Sequence, residues 1–374
     1  MITTQAELTI LRMLSLTKAA LHGTTPDENL FVNASKTDWD ELFELSVVQG
    51  VMVFSLNGAM QLPKDLQPPL PLKLRWIASA EEVKKRYNHR LKTAKELYGY
   101  FAENNIQMLL FKGVALSRLY PIPTSREFGD IDIFLCGKAK EGDALLEHLT
   151  GKKGIYSKKH VNFSFKGILI ENHHTFLNKN FPHSEFLEKQ LRMTLTDAGI
   201  LKEADFTESG RTDETLLFPP PNFDVLFVTL HTFAHLSAKI VLRQLCDLTI
   251  LFKSYKGKID FSFYRNALSE AGLQNLADII ISLAVKYLGL NPEDVPPYES
   301  DLSLENRIWN DMLNPDVPPL PKDKRTLFNV FIYKIRLLRS RYWKNELVFP
   351  GQFWNKILHS AYYHLCNPKT IGKM

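Results

Sequence analysis

The chain has 374 residues, of which 45% are hydrophobic and 23% charged, with a formal net charge of +5. That length allows two or three domains, and the composition is that of a globular protein rather than a disordered or fibrous one. The closest approach to a membrane-spanning run, residues 277–290, is too short and contains Lys286, so no stable membrane insertion is expected.

The N-terminus carries Glu7 early and lacks a basic start followed by an unbroken apolar stretch, so no signal peptide is expected. Cys136, Cys246 and Cys366 lie far apart with no CxxC spacing. That argues against a disulfide framework or a cysteine-rich zinc site and fits a reducing, cytoplasmic location.

The first hundred residues read as helical. Thr37, followed three residues later by Asp40, is a candidate N-cap for a helix over 37–60. A proline-rich break at 62–73 precedes a long amphipathic segment over 74–105, which hands over to an apolar strand at 106–111. From there to about residue 200 the pattern is mixed: a strand at 129–135, a helix over 138–154, and a hairpin over 160–172 turning at Lys166-Gly167. After Pro219, Pro220 and Pro221 the chain turns helical again, most strongly over 223–254. The expected organisation is α+β: a small mixed β-sheet core at 96–205 flanked by helices, a helical N-terminal region at 1–95 and a helical C-terminal domain at 206–374.

Residues 322–374 hold eleven Lys or Arg against two acids, Asp323 and Glu346, a net of +9. Phe331, Tyr333, Tyr342, Trp343, Phe353 and Trp354 lie among them. Basic and aromatic residues together can stack on bases, touch phosphates or sit at a bilayer surface. The plainer reading is a helix pair that packs its aromatics inward and solvates its basic face.

The strand at 129–135 carries Asp130 and Asp132 among isoleucines. Acid-any-acid triplets arise by chance about four or five times in a chain of this composition, so context decides. In a strand both carboxylates point to one face, where they repel each other and are costly to bury unless a cation neutralises them. Glu171, after the apolar run 167–170, can join them if the hairpin lies beside this strand. Three such carboxylates suit Mg²⁺ and in-line phosphoryl or nucleotidyl transfer. Alternatively, Asp130 caps a turn after Gly129 and Asp132 pairs with Arg126; the residues alone leave both readings open.

Upstream, a strand reaches Gly113 and a short helix begins there. Backbone N–H groups at such a point form an anion site that glycine lets a phosphate approach. Lys112 adjoins it and could neutralise a triphosphate, as could Arg126, four residues before the aspartates.

The order strand, Lys112-Gly113, short helix ending in Leu119-Tyr120, proline, arginine and then 129–135 resembles the uncharacterised nucleotidyltransferase family of the DNA polymerase β-like superfamily. The stretches 168–174 and 226–252 agree with it, so the resemblance covers roughly residues 85–255. It implies a nucleotidyltransferase fold and Mg²⁺- or Mn²⁺-dependent transfer of a nucleoside monophosphate. The donor would be a nucleoside triphosphate and the acceptor an unknown hydroxyl on a small molecule, protein or RNA. Asp130, Asp132 and Glu171 would be the metal-binding and catalytic residues. Where the wider superfamily carries Gly-Ser, this chain has Gly113-Val114. Its nearest hydroxyl is Ser117, so phosphate contact would fall to Gly113 and Lys112. Two other readings stand beside this one: a catalytically degenerate nucleotide- or partner-binding protein, and a nucleic-acid-binding protein using the basic tail.

His231 and His235 share a helical face, but Thr232 stands where a zinc protease needs glutamate and no third ligand is evident. Histidines facing the core or cleft are expected instead. Arg243 and Asp247 are one turn apart, and an intrahelical ion pair is their simplest role. The resemblance implies that His231, His235 and Asp247 line the cleft side. His173 shares the face of Glu171 and His174 does not.

Overall fold

Helices open the chain, each started by a cap that the sequence supplies. The computed structural model describes residues 4–201, 216–314 and 326–354, with 317, 321 and 358. Helix α1 (Gln5–His22) begins at Thr4, which exchanges capping bonds with Glu7. Helix α2 (Lys36–Val48) is capped by Ser35 with Asp38, not by Thr37. Both candidates precede an acid by three residues, and the earlier one has the extended backbone that a cap requires. Helix α3 (Met52–Ala59) packs on α1. Helix α4 (Leu70–Glu103) starts with a proline in its first turn and runs through the expected boundary at residue 95.

The sheet follows: β1 (Leu109–Phe111), helix α5 (Gly113–Ser117), β2 (Asp130–Phe134), helix α6 (Ala139–Thr150), β3 (Ile155–Tyr156), β4 (His160–Phe165) and β5 (Ile168–His173). Its order is β1-β2-β5-β4-β3. Among the named strands only β2 and β5 run parallel, joined by α6 and the β3–β4 excursion; the other strand pairs are antiparallel. The hairpin turn falls at Lys166 (φ 51°) and Gly167 (φ 76°), two left-handed residues as a tight hairpin demands.

Alternation along the strands gives the sheet two different faces. Leu110, Ile131, Ile133, Phe163 and Ile170 form one, buried under Leu97 and Phe101 of α4 and Leu146 of α6. The other carries Phe111 and Phe134 into an aromatic cluster with Phe176 and with Phe223 and Phe227 of the helical half. The polar positions on that second face form the candidate site.

The helical half comprises α7 (Ser184–Asp197), α8 (Pro221–Leu236), α9 (Leu242–Ser254), α10 (Phe261–Glu270), α11 (Gln274–Leu288), α12 (Leu302–Leu313) and α13 (Leu327–Val348). The segment read as continuous over 223–254 is broken between α8 and α9. Asn345 and Lys344 of α13 donate to the carbonyls of Ser237 and Ala238, at 2.8 and 3.3 Å, satisfying acceptors that the break exposes. Lys344 is buried and pairs with Asp311 at 2.7 Å, and Arg307 lies 4.0 Å over the Trp343 ring. This part of the basic segment packs inward, while Tyr342 and Trp354 stay exposed. Most of 355–374, Cys366 included, lies outside the described residues, as does the side chain of Phe331. The fold is α+β, and among the described residues no helix is long and apolar enough to cross a membrane.

Candidate metal and nucleotide site

The parallel register of β2 and β5 sets Asp132 directly opposite Glu171, with Asp130 two residues earlier on the same face. One oxygen from each of the three carboxylates lies within 4.8 Å of the others. Asp132 is buried. Its Oδ1 accepts from the Lys112 ammonium and stands 2.9 Å from His173 Nε2, while its Oδ2 is buried without a hydrogen-bond partner among the described residues. Burial works against ionising Asp132, yet Lys112 and His173 hold its carboxyl well below the usual range. Burial and the neighbouring Asp132 charge push Asp130 the other way. Two adjacent carboxyls driven apart in this manner are characteristic of functional sites.

Lys112 reaches Asp132 from a strained backbone, φ 54° and ψ −125°, in the turn from β1 into α5. A non-glycine residue held there needs surrounding structure to enforce it. Gly113 follows and is buried: a Cβ on it would lie 2.8 Å from Phe128 Cδ2 and 3.3 Å from the Asp130 carbonyl oxygen. Glycine is therefore required here by packing against the start of β2.

Other expected site residues lie apart from the carboxylates. Ser117 is fully buried and donates to Val114 O at 2.9 Å, within its own helix. Arg126 pairs with Asp247 rather than Asp132. Its Nε and Nη2 donate to the two Asp247 oxygens at 2.6 and 2.8 Å, and its Nη1 donates to Gly113 O at 3.2 Å. Tyr120 donates to the same Asp247 carboxylate at 2.6 Å. Arg243 is not the partner of Asp247; it donates to the Glu127 carbonyl. Arg126 and Asp247 thus brace the Gly113 turn from beneath.

His173 lies within the cluster, and its Nε2 stands 3.3 Å from Glu171 Oε2. His174 points to the opposite face and meets Asp143 at 2.8 Å. Two further residues escaped the sequence reading. His160 faces His173 across the hairpin, its Nδ1 3.3 Å from Glu171 Oε2. The signal for it was present: a two-residue turn at 166–167 pairs Phe165 with Ile168, and therefore His160 with His173. Lys159 precedes it, half-buried, its ammonium pushed down to about 8 by burial and by Lys112.

Beside the cluster opens a cleft of about 260 Å³ lined by Lys158, Lys159, Asn178, Phe227, His231 and Phe349, among others. His231 stacks on Phe227 with ring centroids 6.0 Å apart, and its Nε2 lies 3.1 Å from that of His235. Burial holds both imidazoles below their ordinary range. Neither histidine joins a metal-competent grouping among the described residues. His231 thus lines the cleft and His235 supports it.

A family described as uncharacterised nucleotidyltransferase matches residues 35–289. The chain belongs to this family. The match begins at the cap of α2 and ends at the glycine after α11, so it takes in the sheet, the Arg126–Asp247 brace and the cleft-lining α8. It extends on both sides of the 85–255 span on which the resemblance rests. No curated protein and no solved structure matches the chain. The carboxylates of this nucleotidyltransferase-family chain fit a divalent cation: three oxygen donors converge, and one buried oxygen lacks any partner.

Proposed function

We propose that this chain transfers a nucleoside monophosphate from a nucleoside triphosphate to a hydroxyl acceptor, in the manner of the polymerase β-like superfamily. The observation that carries the reading is the convergence of Asp130, Asp132 and Glu171, with Asp132 Oδ2 buried and unpartnered. These three would hold Mg²⁺ or Mn²⁺, which when bound neutralises phosphate charge and supplies Lewis acidity. Glu171, half-buried at the edge of the cluster, takes the proton of the acceptor hydroxyl. The acceptor oxygen bonds to the α-phosphorus, the α–β phosphoanhydride bond breaks, and pyrophosphate leaves. Lys112 and Lys159 face the phosphates, and the aromatic cleft beside Lys159 accommodates the base or the acceptor. We place this activity in the cytoplasm.

The test is to incubate wild type and the Asp130→Asn/Asp132→Asn double variant with labelled nucleoside triphosphates, Mg²⁺ or Mn²⁺, and cell extract. Label transfer by wild type alone is expected; equal transfer by both discards the residue assignment. One observation favours a second reading, nucleotide binding without chemistry: Lys112 sits on Asp132 and Phe128 packs against Gly113, and Val114 stands where the wider superfamily carries serine. Calorimetry showing nucleotide binding that is indifferent to metal would favour it.

A further inference from the structure

We propose that His160, Glu171 and His173 form a nitrogen-rich metal site fused to the carboxylate triad, selecting a borderline first-row divalent ion of the Zn²⁺ or Co²⁺ kind over Mg²⁺. It rests on the transferase reading only in that Glu171 is shared between the two sites.

The geometry is the first argument. His160 Nδ1 and His173 Nε2 each stand 3.3 Å from the same oxygen, Glu171 Oε2. All three donor atoms lie within 4.8 Å of one another. Donors bound to a tetrahedral ion at about 2.0–2.2 Å are separated by about 3.3–3.5 Å, so both edges through Glu171 already match. Three protein ligands leave one position open, the pattern of catalytic rather than structural zinc sites.

The hydrogen-bond inventory is the second argument. His173 Nδ1 lies 3.3 Å from Thr175 O, an acceptor only, so Nδ1 carries a proton and donates it there. Nε2 then faces two acceptors, Asp132 Oδ1 at 2.9 Å and Glu171 Oε2 at 3.3 Å, and needs either a second proton or a cation between them. A metal ion bound among them takes the place of that proton. The Thr175 carbonyl is the outer partner that fixes the tautomer of a ligating histidine. His160 Nδ1 is buried without a hydrogen-bond partner among the described residues, 3.3 Å from the same oxygen.

Ligand chemistry is the third. Mg²⁺ takes oxygen and keeps its waters, whereas imidazole with carboxylate suits borderline ions such as Zn²⁺ and Co²⁺. The carboxylate half and the imidazole half of this cluster therefore differ in preference, with Glu171 at their boundary.

The experiment titrates chelator-treated full-length protein with Co²⁺ and follows its visible d–d absorption, with Mg²⁺ in excess as competitor. Expected are one Co²⁺ per chain, resistance to Mg²⁺, and affinity weaker in His160→Ala and His160→Gln by more than the roughly 10–100-fold that loss of an outer partner causes. His174→Ala, on the opposite face, leaves binding unchanged. Circular dichroism identifies the folded variants, and His160→Gln carries the comparison if the alanine variant does not fold. Unchanged Co²⁺ spectra in the folded His160 variants, or ready displacement by Mg²⁺, overturns the proposal. Co²⁺ binding through His160 without nucleotidyl transfer would leave this site standing and remove the transferase reading. Transfer that persists while Co²⁺ binding ignores His160 would do the reverse.

Discussion

Arg126 and Asp247 are 121 residues apart in the chain and meet as a two-pronged buried ion pair, at 2.6 and 2.8 Å. The pair ties the loop before β2 to helix α9, and through Arg126 Nη1 it also holds the carbonyl of Gly113. Removing one partner leaves the other charge buried without compensation, which costs about 3–5 kcal/mol. Arg126→Ala should lose that much stability in urea unfolding. Arg126→Lys should recover little, because an ammonium does not reproduce the paired fork. The double variant Arg126→Met/Asp247→Leu should recover most of the loss, since it buries no charge. If the double variant is as unstable as Arg126→Ala, the loss comes from packing and from the unpaired Tyr120 hydroxyl and Gly113 carbonyl, not from the orphaned carboxylate.

Asp224 predicts a pH dependence that is independent of the site. It is buried, accepts from Tyr255 Oη at 2.8 Å and lies 4.0 Å from Arg118. Burial pushes its carboxyl up to about 7 despite both neighbours. The folded state therefore holds this proton more tightly than the unfolded chain, whose carboxyl titrates near 4. Its contribution is fully present below about pH 4 and is lost as pH rises through 7, an amount up to about 4 kcal/mol. Asp224→Asn keeps an acceptor for Tyr255 and carries no charge. The variant should match wild type near pH 4 and exceed it in stability at pH 8. A difference in unfolding free energy that is constant across this range removes Asp224 as the cause.

The sheet was the most legible part of the sequence because its signals are local. Alternation in 129–135 placed Asp130 and Asp132 on one face, and Lys166-Gly167 set the hairpin register that carries Glu171, His173 and His160. The parallel pairing of Asp132 with Glu171 was available only as a condition, since α6 and the hairpin must dock before the two strands meet. The break between α8 and α9 was hidden because Ala238, Ile240 and Val241 continue the apolar pattern. What stabilises it is α13, about a hundred residues later. Arg126 and Asp247 each had a plausible local partner, and a long-range contact replaced both. Gly113 was recognised as special, but its reason is the Phe128 ring, which no local pattern reveals.

Lys159 supplies the sharpest test of where the triphosphate lies. It is half-buried, lines the cleft, and makes no ion pair among the described residues. Lys112, a like charge, adds to the cost of its burial, and the charges of Asp132, Glu171 and Asp130 offset part of it. A desolvated ammonium without a direct ion-pair partner is costly to the free protein, and a bound polyphosphate would relieve it. Lys159→Ala should therefore leave unfolding free energy unchanged or slightly higher. The same change should weaken ATP binding about 10–100-fold, the worth of one hydrogen bond to a charged group. Lys158→Ala, at an exposed neighbouring position, should change affinity far less, because solvent screens that charge. Calorimetry with ATP, then CTP, GTP and UTP, measures both variants. Equal ATP affinity in wild type and Lys159→Ala would move the phosphates out of the cleft and leave Lys112 as their contact.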